Sequence, residues 1–264
     1  MIQPCCLTIA GSDSGGNAGV QADLRTFHAY GLHGCTVFAA LTAQNPFEVS
    51  AIHAVPAAFV EAQLDAVLPH YNIQAMKTGM LAQPAVIEAV ARKLSAYPKM
   101  QKVIDPVMVA TSGARLITPE AIEALKTHLL PLATVITPNL PEAEVLTGMT
   151  IQTSQEAEVA AKTLAETYHA SIILKGGHFA GDAAEDLLYD CETQQVHRLS
   201  APRIQNPIST HGTGCTFAAA LTAELALGHD IVQAAVGAKK QVYAAISSAM
   251  WVGPDCGVLG FVQG

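Results

Sequence analysis

The sequence has 264 residues, of which 50% are hydrophobic and only 14% are charged. So apolar a composition excludes a disordered chain, and the length suffices for one large α/β domain or two small ones. The formal net charge is −8, which argues against a surface that holds a nucleic-acid backbone.

Short apolar runs alternate along the chain with segments of helical periodicity. Strands are predicted at 5–10, 36–43, 73–79, 102–107, 134–138 and 171–177, with less clear ones at 185–190 and 195–201. Helices are predicted at 17–30, 57–69, 84–96, 118–129, 154–168, 213–227 and 230–249. This alternation predicts a mostly parallel sheet with helices on both faces. Because no linker or repeat divides the chain, we expect a single domain over residues 1–264.

The six cysteines form neither a C-x-x-C motif nor a zinc-like spacing. The N-terminus lacks the charged and apolar regions of a signal peptide, and no 18-residue stretch is free of polar residues. We therefore expect a reduced, cytoplasmic protein without a membrane span.

Nearly every predicted strand ends in residues that are typical of loops and also carry polar groups. The exits read GSDSGG (11–16), AQNP (43–46), TGM (78–80), DPVM (105–108), TPNLPE (137–142) and KGGH (175–178). Ligands of open α/β sheets bind at the carboxyl ends of the strands, so this edge is the candidate site.

The motif HGTGC (211–215) runs directly into an alanine- and leucine-rich helix. Gly212 and Gly214 allow the backbone to approach a ligand, and the amides of 212–215 would face an anion at the positive end of the helix. Cys215 would lie in the first turn, where a thiol pKa is lowered. The alternative is a plain turn that buries a small cysteine.

The ends of this helix have their own signals. Thr210 or Thr213 is expected to cap its N-terminus, and Gly228 follows its C-terminus. Neither a Walker A loop nor a G-x-G-x-x-G motif occurs in the chain.

Asp23 lies on the inner, apolar stripe of the first predicted helix. A carboxylate there is costly unless it is hydrogen-bonded. It either forms a local cap or an ion pair with a nearby arginine, or it accepts a hydrogen bond from a substrate. Gln44 could complement it, because an amide that donates and accepts matches the edge of an aminopyrimidine.

Two further groups of polar residues have alternative roles. Asn139 and Glu142 have the spacing of a capping box, but with Asp105 they also offer oxygen ligands for Mg²⁺. Lys175 ends a strand and could meet a nucleotide phosphate. Lys239 falls on an apolar helix stripe, where it either extends to solvent or reaches the site.

In this order the motifs resemble the hydroxymethylpyrimidine and phosphomethylpyrimidine kinases of thiamine biosynthesis, members of the ribokinase-like superfamily. The likeness spans about residues 7–250 and is carried by TIAGSDSGGNAGVQADLRTF, VFAALTAQN, KTGML, VIDPVMVATSG, VITPNLPEAEVLTG, ILKGGH and THGTGCTFAAALTAEL. It implies a three-layer αβα sandwich around a mostly parallel sheet, ATP and Mg²⁺ as cofactors, and a homodimer.

The resemblance also implies roles for individual residues. The pyrimidine would be held by Gly11, Asp23 and Gln44, with Met80 and Val107 against its ring. Mg²⁺ would be bound by Asp105 and Glu142. The nucleotide side would comprise Lys175, Lys239, Asn139 and Thr210. The anion hole over the transferred phosphoryl group would comprise Gly212, Thr213, Gly214 and Cys215.

The implied reaction is transfer of the γ-phosphoryl group of ATP to the hydroxymethylpyrimidine alcohol, and then to its monophosphate. Three positions depart from the family: Asn17 stands where glycine is expected, Thr111 where lysine is usual, and the tail lacks the common histidine. Thr111 bears on the second phosphorylation. The alternatives are a pyridoxine or pyridoxal kinase and a non-catalytic vitamin- or nucleotide-binding protein.

Overall fold

One large sheet organises the computed structural model, which describes residues 2–108, 117–176 and 183–261. Its strands within these ranges are β1 Cys5–Asp13, β2 His33–Gln44, β3 Val49–Ala54, β4 Ile73–Thr78, β5 Gln101–Ile104, β6 Val135–Ile136, β7 Ser171–Leu174, β8 Ala183–Asp190 and β9 Gln195–Pro202. They are ordered β3-β2-β1-β4-β5-β6-β7-β8-β9. The six central strands are parallel: β2, β1, β4, β5, β6 and β7. Strands β3, β8 and β9 pair antiparallel at the edges.

The helices of the described ranges connect these strands. They are α1 Gly19–Ala29, α2 Ala57–Val67, α3 Pro84–Leu94, α4 Pro119–Ala124, α5 Leu140–Thr147, α6 Ser154–Tyr168, α7 Thr213–Ala226 and α8 Ile231–Ser247. A π-helical turn, Leu125–Leu129, and a 3-10 turn, Leu130–Leu132, continue α4. A separate hairpin follows α8, with strands β10 Met250–Gly253 and β11 Cys256–Val258.

Alternating strand residues supply two cores, one on each face of the sheet. On one face Leu7, Ile9 and Met76 pack with helices α2 to α6. On the other face Cys6 and Ala75 pack with α1, α7 and α8. The result is the three-layer sandwich that the sequence predicts, and α7 is its most deeply buried helix because ten of its residues are buried.

Helix ends follow the local sequence. Side-chain capping boxes begin α5, α6 and α8, with Asn139, Thr153 and Asp230 as the N-caps. Gly148 and Gly228 follow α5 and α7 in the left-handed conformation that glycine favours. The prediction that Gly228 ends the helix after HGTGC is therefore confirmed.

The structure contains four elements that the sequence does not predict, and several predicted elements are shorter than expected. These four are strands β3, β10 and β11, and helix α5, for which the sequence offers only a possible cap. The helix predicted at 118–129 is regular only to Ala124. Thr111 lies outside the described residues, as do Gly177 and His178 of the KGGH motif.

No helix in the described ranges combines the length and the apolar character needed to cross a membrane.

Candidate active site

The predicted site residues converge at the carboxyl edge of the parallel strands. Gly11 and Gln44 lie at the ends of β1 and β2, and Met80 lies just after β4. Asp105, Asn139 and Lys175 follow β5, β6 and β7 in the same way, and HGTGC begins α7. The parallel topology thus gathers residues that are far apart in the chain.

The turn that begins α7 is built on Gly212. This residue is the N-cap of the helix with a φ of +87°, and no side chain caps the helix. Thr213 instead donates its hydroxyl to the carbonyl of Thr210 at 2.9 Å. The prediction that either threonine caps the helix is therefore wrong.

The first amides of α7 are free to bind a ligand. The amide of Thr213 reaches the carbonyl of Thr210 at 3.3 Å, but those of Gly214 and Cys215 find no acceptor in the described part of the chain. The ammonium of Lys175 lies 3.8 Å from where a Gly214 Cβ would be. A helix dipole, two unpaired amides and a lysine together favour a negatively charged group here.

A second glycine-rich turn supports the first. A Cβ on Gly212 would lie 1.9 Å from the carbonyl oxygen of Asn17, so the two turns are in direct contact. The backbone at Asn17 has no positive φ, whereas Gly16 and Gly19 do. The local backbone therefore accepts asparagine where the resemblance led us to expect glycine.

Asp13, which the sequence analysis did not select, closes this second turn. Its carboxylate accepts hydrogen bonds from the amides of Gly15, Asn17 and Ala18 at 2.8–2.9 Å. Burial would raise the pKa of Asp13, but His211 and these amides outweigh it and lower the pKa. Its position in GSDSGG, two residues before a glycine amide, is the local signal of such a turn.

Cys215 does not have the lowered thiol pKa that its helix position predicts. Burial raises the pKa, and the carboxylates of Asp23 and Asp105 act in the same direction. Lys77 and a hydrogen bond from the amide of Gly19 oppose this rise without cancelling it. The prediction from the helix dipole fails because desolvation of the thiolate outweighs the dipole.

Asp23 takes the ion-pair alternative rather than the substrate role. Its side chain is fully buried, and both oxygens lie 3.1 Å from the ammonium of Lys77. Thr8 donates its hydroxyl to the same carboxylate at 2.6 Å. The cation is a lysine on β4 rather than a nearby arginine, and no surface of the carboxylate remains for a substrate.

Lys77 is the second site residue that sequence reasoning missed. Burial would lower its pKa, but Asp23 outweighs burial and raises it, so the lysine is charged. A charged residue inside the apolar strand IQAMKTG is the available signal, but nothing local identifies its partner, 54 residues away.

The other residues assigned to the pyrimidine lie at or just after the carboxyl ends of β1, β2, β4 and β5. A Cβ on Gly11 would come within 2.7 Å of the Met80 methyl group, so these two residues are in contact. The amide nitrogen of Gln44 lies 3.4 Å from Nε2 of His211, and its oxygen accepts from Thr42. Val107 is partly exposed beyond β5.

The nucleotide side contains a compact group of charges. Lys175 donates to Asp105 at 2.8 Å, and Thr137 donates to the same oxygen at 3.1 Å. Burial would lower the pKa of Lys175, but Asp105 and Glu142 outweigh it and raise the pKa. Lys175 is therefore a fixed positive charge beside the amides of α7.

Asn139 and Glu142 form the capping box that their spacing allows. Asn139 accepts from the amide of Glu142, and Glu142 accepts from the amides of Asn139 and Met108. Burial raises the pKa of Glu142 to about 7, with Asp105 adding to the rise and Lys175 opposing it. Glu142 thus has a structural role and is also a carboxylate that lacks full charge compensation.

Lys239 reaches inward, as one of its two predicted alternatives requires, but it contacts a carboxylate. Its ammonium lies 2.6 Å from Asp186 on β8. The other Asp186 oxygen accepts from the amide of Gly176, next to Lys175. Lys239 therefore helps to hold Gly176 in place through Asp186, a further residue that the sequence analysis did not select.

Within the described ranges, no group of three or more His, Cys, Asp or Glu side chains is arranged to hold a metal ion. Mg²⁺ commonly binds through one or two carboxylates, its own waters and substrate phosphates. Asp105 and Glu142 supply two such carboxylates, because both are buried and Asp105 is close enough to add to the burial that raises the pKa of Glu142.

These features define the chain as a three-layer α/β protein with a candidate anion-binding turn at the carboxyl edge of its parallel strands. Residues 13–259 match the family model described as phosphomethylpyrimidine kinase. The chain is 47% identical to the hydroxymethylpyrimidine/phosphomethylpyrimidine kinase of Rhizobium meliloti, with 92% of this chain and 90% of that protein covered. The chain belongs to the phosphomethylpyrimidine kinase family.

Three further relatives bear on the comparison. The chain is 46% identical to the thiamine biosynthesis bifunctional protein of Geobacter sulfurreducens over 97% of its length, but it spans only 52% of that protein. The ADP complex of Bacillus subtilis pyridoxal kinase superposes with a TM-score of 0.89 at 36% identity, covering 100% and 98% of the two chains. A phosphomethylpyrimidine kinase from Clostridium difficile 630 gives 0.81 at 37% identity, covering 93% and 100%.

Proposed function

We propose that this protein transfers the γ-phosphoryl group of ATP to the alcohol of 4-amino-5-hydroxymethyl-2-methylpyrimidine, and then phosphorylates the monophosphate to the diphosphate. Family membership and the names of the relatives support the activity. One structural observation carries the assignment of the site: the amides of Gly214 and Cys215 meet no acceptor in the described chain and lie beside Lys175.

The proposed roles follow the geometry. Gly212, Thr213, Gly214 and Cys215 surround the phosphoryl group, whose developing charge faces backbone amides and Lys175. Gln44, Gly11, Met80 and Val107 form the pyrimidine side. Asn139 and Thr210 adjoin the nucleotide, while Lys239 and Asp186 hold its loop in place.

In the proposed step, the alcohol oxygen attacks the γ-phosphorus and the bond to the bridging oxygen breaks. Cys215 faces the attacking hydroxyl and accepts its proton, or the proton leaves later because a loose transition state needs little help from a base. When bound at Asp105 and Glu142, Mg²⁺ would neutralise charge on the phosphates. Asp105 also fixes Lys175 in place.

An alternative substrate is pyridoxine or pyridoxal, because one of the structurally similar proteins is a pyridoxal kinase. Pyridoxine also carries a hydroxymethyl group on a nitrogen heterocycle. Gln44 favours the aminopyrimidine, since its amide can both donate to and accept from an amino-substituted ring edge. The names of the curated relatives favour the same substrate.

We also propose a single kinase domain that acts as a homodimer in a reducing, cytoplasmic compartment. All six cysteines are unpaired. Exposed apolar side chains lie on the β2–β3 edge and on α2, at Leu41, Phe47, Ile52 and Phe59. An edge strand with such residues is a common site of self-association.

The test is ADP release from ATP with hydroxymethylpyrimidine, its monophosphate, pyridoxine or no acceptor. We expect release with both pyrimidines, a much lower rate with pyridoxine, and a loss of release without Mg²⁺. A preference for pyridoxine would establish the vitamin B6 alternative. Release with none of the acceptors would favour a binding protein.

A further inference from the structure

A buried ion pair joins β4 and α1, two elements on which helix α7 packs. Lys77 on β4 and Asp23 on α1 are both fully buried, and the Lys77 ammonium lies 3.1 Å from each Asp23 oxygen. A buried ion pair adds little net stability compared with a well-packed apolar pair. Its presence at this position therefore calls for a reason other than stability.

The surroundings of the pair connect it to Cys215. Helix α7, which carries Cys215, packs on both β4 and α1. Gly79 leaves room above the lysine, because a Cβ there would lie 3.3 Å from the Lys77 ammonium. Asp23 engages two of the three ammonium hydrogens, so a third is left.

We propose that Lys77 is a positioning residue for the kinase reaction: its charge, fixed by Asp23, determines how readily Cys215 takes the proton of the acceptor alcohol. The inference rests on the proposed function for its chemistry. Asp23 then acts on the reaction through Lys77, and it needs no contact with the substrate.

The proton transfer balances as follows. The resting Cys215 thiol first gives its proton to water. The alcohol oxygen then forms a bond to the γ-phosphorus, its hydrogen passes to the Cys215 thiolate and restores the thiol, and ADP departs with the electron pair of the broken bond. Lys77 stays protonated throughout, so it contributes charge without being consumed.

Four charged groups act on the thiol from the elements around it. Lys77 and Lys175 favour the thiolate, whereas Asp23 and Asp105 oppose it. Lys77 and Asp23 are in contact and carry opposite charges. Removing the charge of one or of the other must therefore shift the protonation of Cys215 in opposite directions. A purely structural ion pair would not produce that change of sign.

The test measures the rate at which iodoacetamide alkylates Cys215 as a function of pH. Mass spectrometry of the Cys215 peptide separates it from the other five cysteines. We expect Lys77→Met to move the midpoint of the profile up by about one pH unit and Asp23→Asn to move it down. The double variant, which removes both charges, should stay near the wild type. The pH profile of kcat should move in the same directions.

Lys102→Met is the matched control. Lys102 is also a buried lysine, on the neighbouring strand β5, but its ammonium donates to the carbonyls of Tyr97 and Met100 at the opposite edge of the sheet. We expect this variant to lose stability without moving the alkylation midpoint. A movement equal to that of Lys77→Met would contradict the proposal.

Two single variants that move the midpoint in the same direction, or leave it unchanged while still folded, would overturn the proposal. Should Lys77→Met fail to fold, the difference between Asp23→Asn and the double variant still isolates the lysine charge. Alkylation requires no turnover. Opposite shifts in a protein that phosphorylates no pyrimidine would therefore refute the proposed function and keep the link between Lys77 and Cys215.

Discussion

Two glycine-rich turns lead into helices at the same edge of the sheet, yet they use their amides in opposite ways. In the turn before α1, the carboxylate of Asp13 accepts from three loop amides, those of Gly15, Asn17 and Ala18. In the turn before α7, the amides of Gly214 and Cys215 have no acceptor among the residues that the structure describes. The chain supplies the anion for the first turn and leaves the second for a ligand.

The contrast shows that a glycine-rich turn before a helix does not by itself define a phosphate site. Both turns have positive-φ glycines and neither helix has a side-chain cap. The difference lies in one aspartate two residues before the first glycine pair. The first turn is therefore fixed by its own hydrogen bonds, and its Asn17 carbonyl packs directly against Gly212 of the second turn.

The largest effect is expected for Gly212→Ala, which would push the two turns apart. The new Cβ would lie 1.9 Å from the Asn17 carbonyl, on a residue whose φ is +87°. We expect kcat to fall by at least about 100-fold, the usual cost of displacing an anion-hole donor. Steady-state kinetics and thermal unfolding measure the two consequences.

Gly228→Ala is the control for backbone strain alone. Gly228 has a nearly identical φ of +89°, but no atom of another described residue, apart from its chain neighbours, lies within 4 Å of its Cβ position. We expect a loss of roughly 1 kcal/mol in stability and normal kinetics. Equal kinetic losses in the two variants would mean that contact between the turns does not matter.

A smaller effect is expected for Asp13→Asn, which removes the charge from the occupied turn. The variant should lose about 1.5–3 kcal/mol of unfolding free energy at pH 7, because charge-assisted bonds to buried amides are lost. The native pKa of Asp13 is lowered. Its contribution to stability is therefore complete above the unfolded pKa and disappears as the pH falls through the native value.

Urea unfolding at pH 7 and at lower pH measures this difference, which should shrink as the solution is acidified. Asp190→Asn is the control, since Asp190 is also buried and accepts from Glu192 and Thr193 in the β8–β9 turn. Both variants should be less stable, but only Asp13→Asn should raise the KM for the pyrimidine. If the difference in unfolding free energy between wild type and Asp13→Asn grew towards acid pH, the proposed role of the carboxylate would be excluded.

The sequence predicted the sheet edge well because that information is local. Each parallel strand is an apolar run that ends in loop residues, and the fold brings these ends together. Strand β3 could not be predicted, because its residues are largely exposed and show no clear apolar pattern. Helix α5 was not predicted because it has only eight residues, although the sequence indicates its Asn139 cap.

The electrostatics could be predicted far less well, because they depend on pairs of distant residues. The helix dipole suggested a reactive Cys215, but burial governs its thiol pKa. The inner-face position of Asp23 correctly signalled a need for a partner, yet Lys77 lies on another strand. Asp186 likewise meets Lys239 across 53 positions of sequence.

The smallest effect is expected for Gly214→Ala, which tests whether the free turn works through its amides. Gly214 needs no positive φ, and among the described residues its Cβ position meets only the Lys175 ammonium, at an ordinary 3.8 Å. The amide remains and alanine favours a helix, so stability should rise by about 0.5–1 kcal/mol. We expect kcat to change little and the KM for ATP to rise a few-fold, because the new methyl group partly screens Lys175. A collapse of kcat as deep as that of Gly212→Ala would show that the turn needs open space at both glycines, and that the difference between the two turns is steric rather than a matter of free amides.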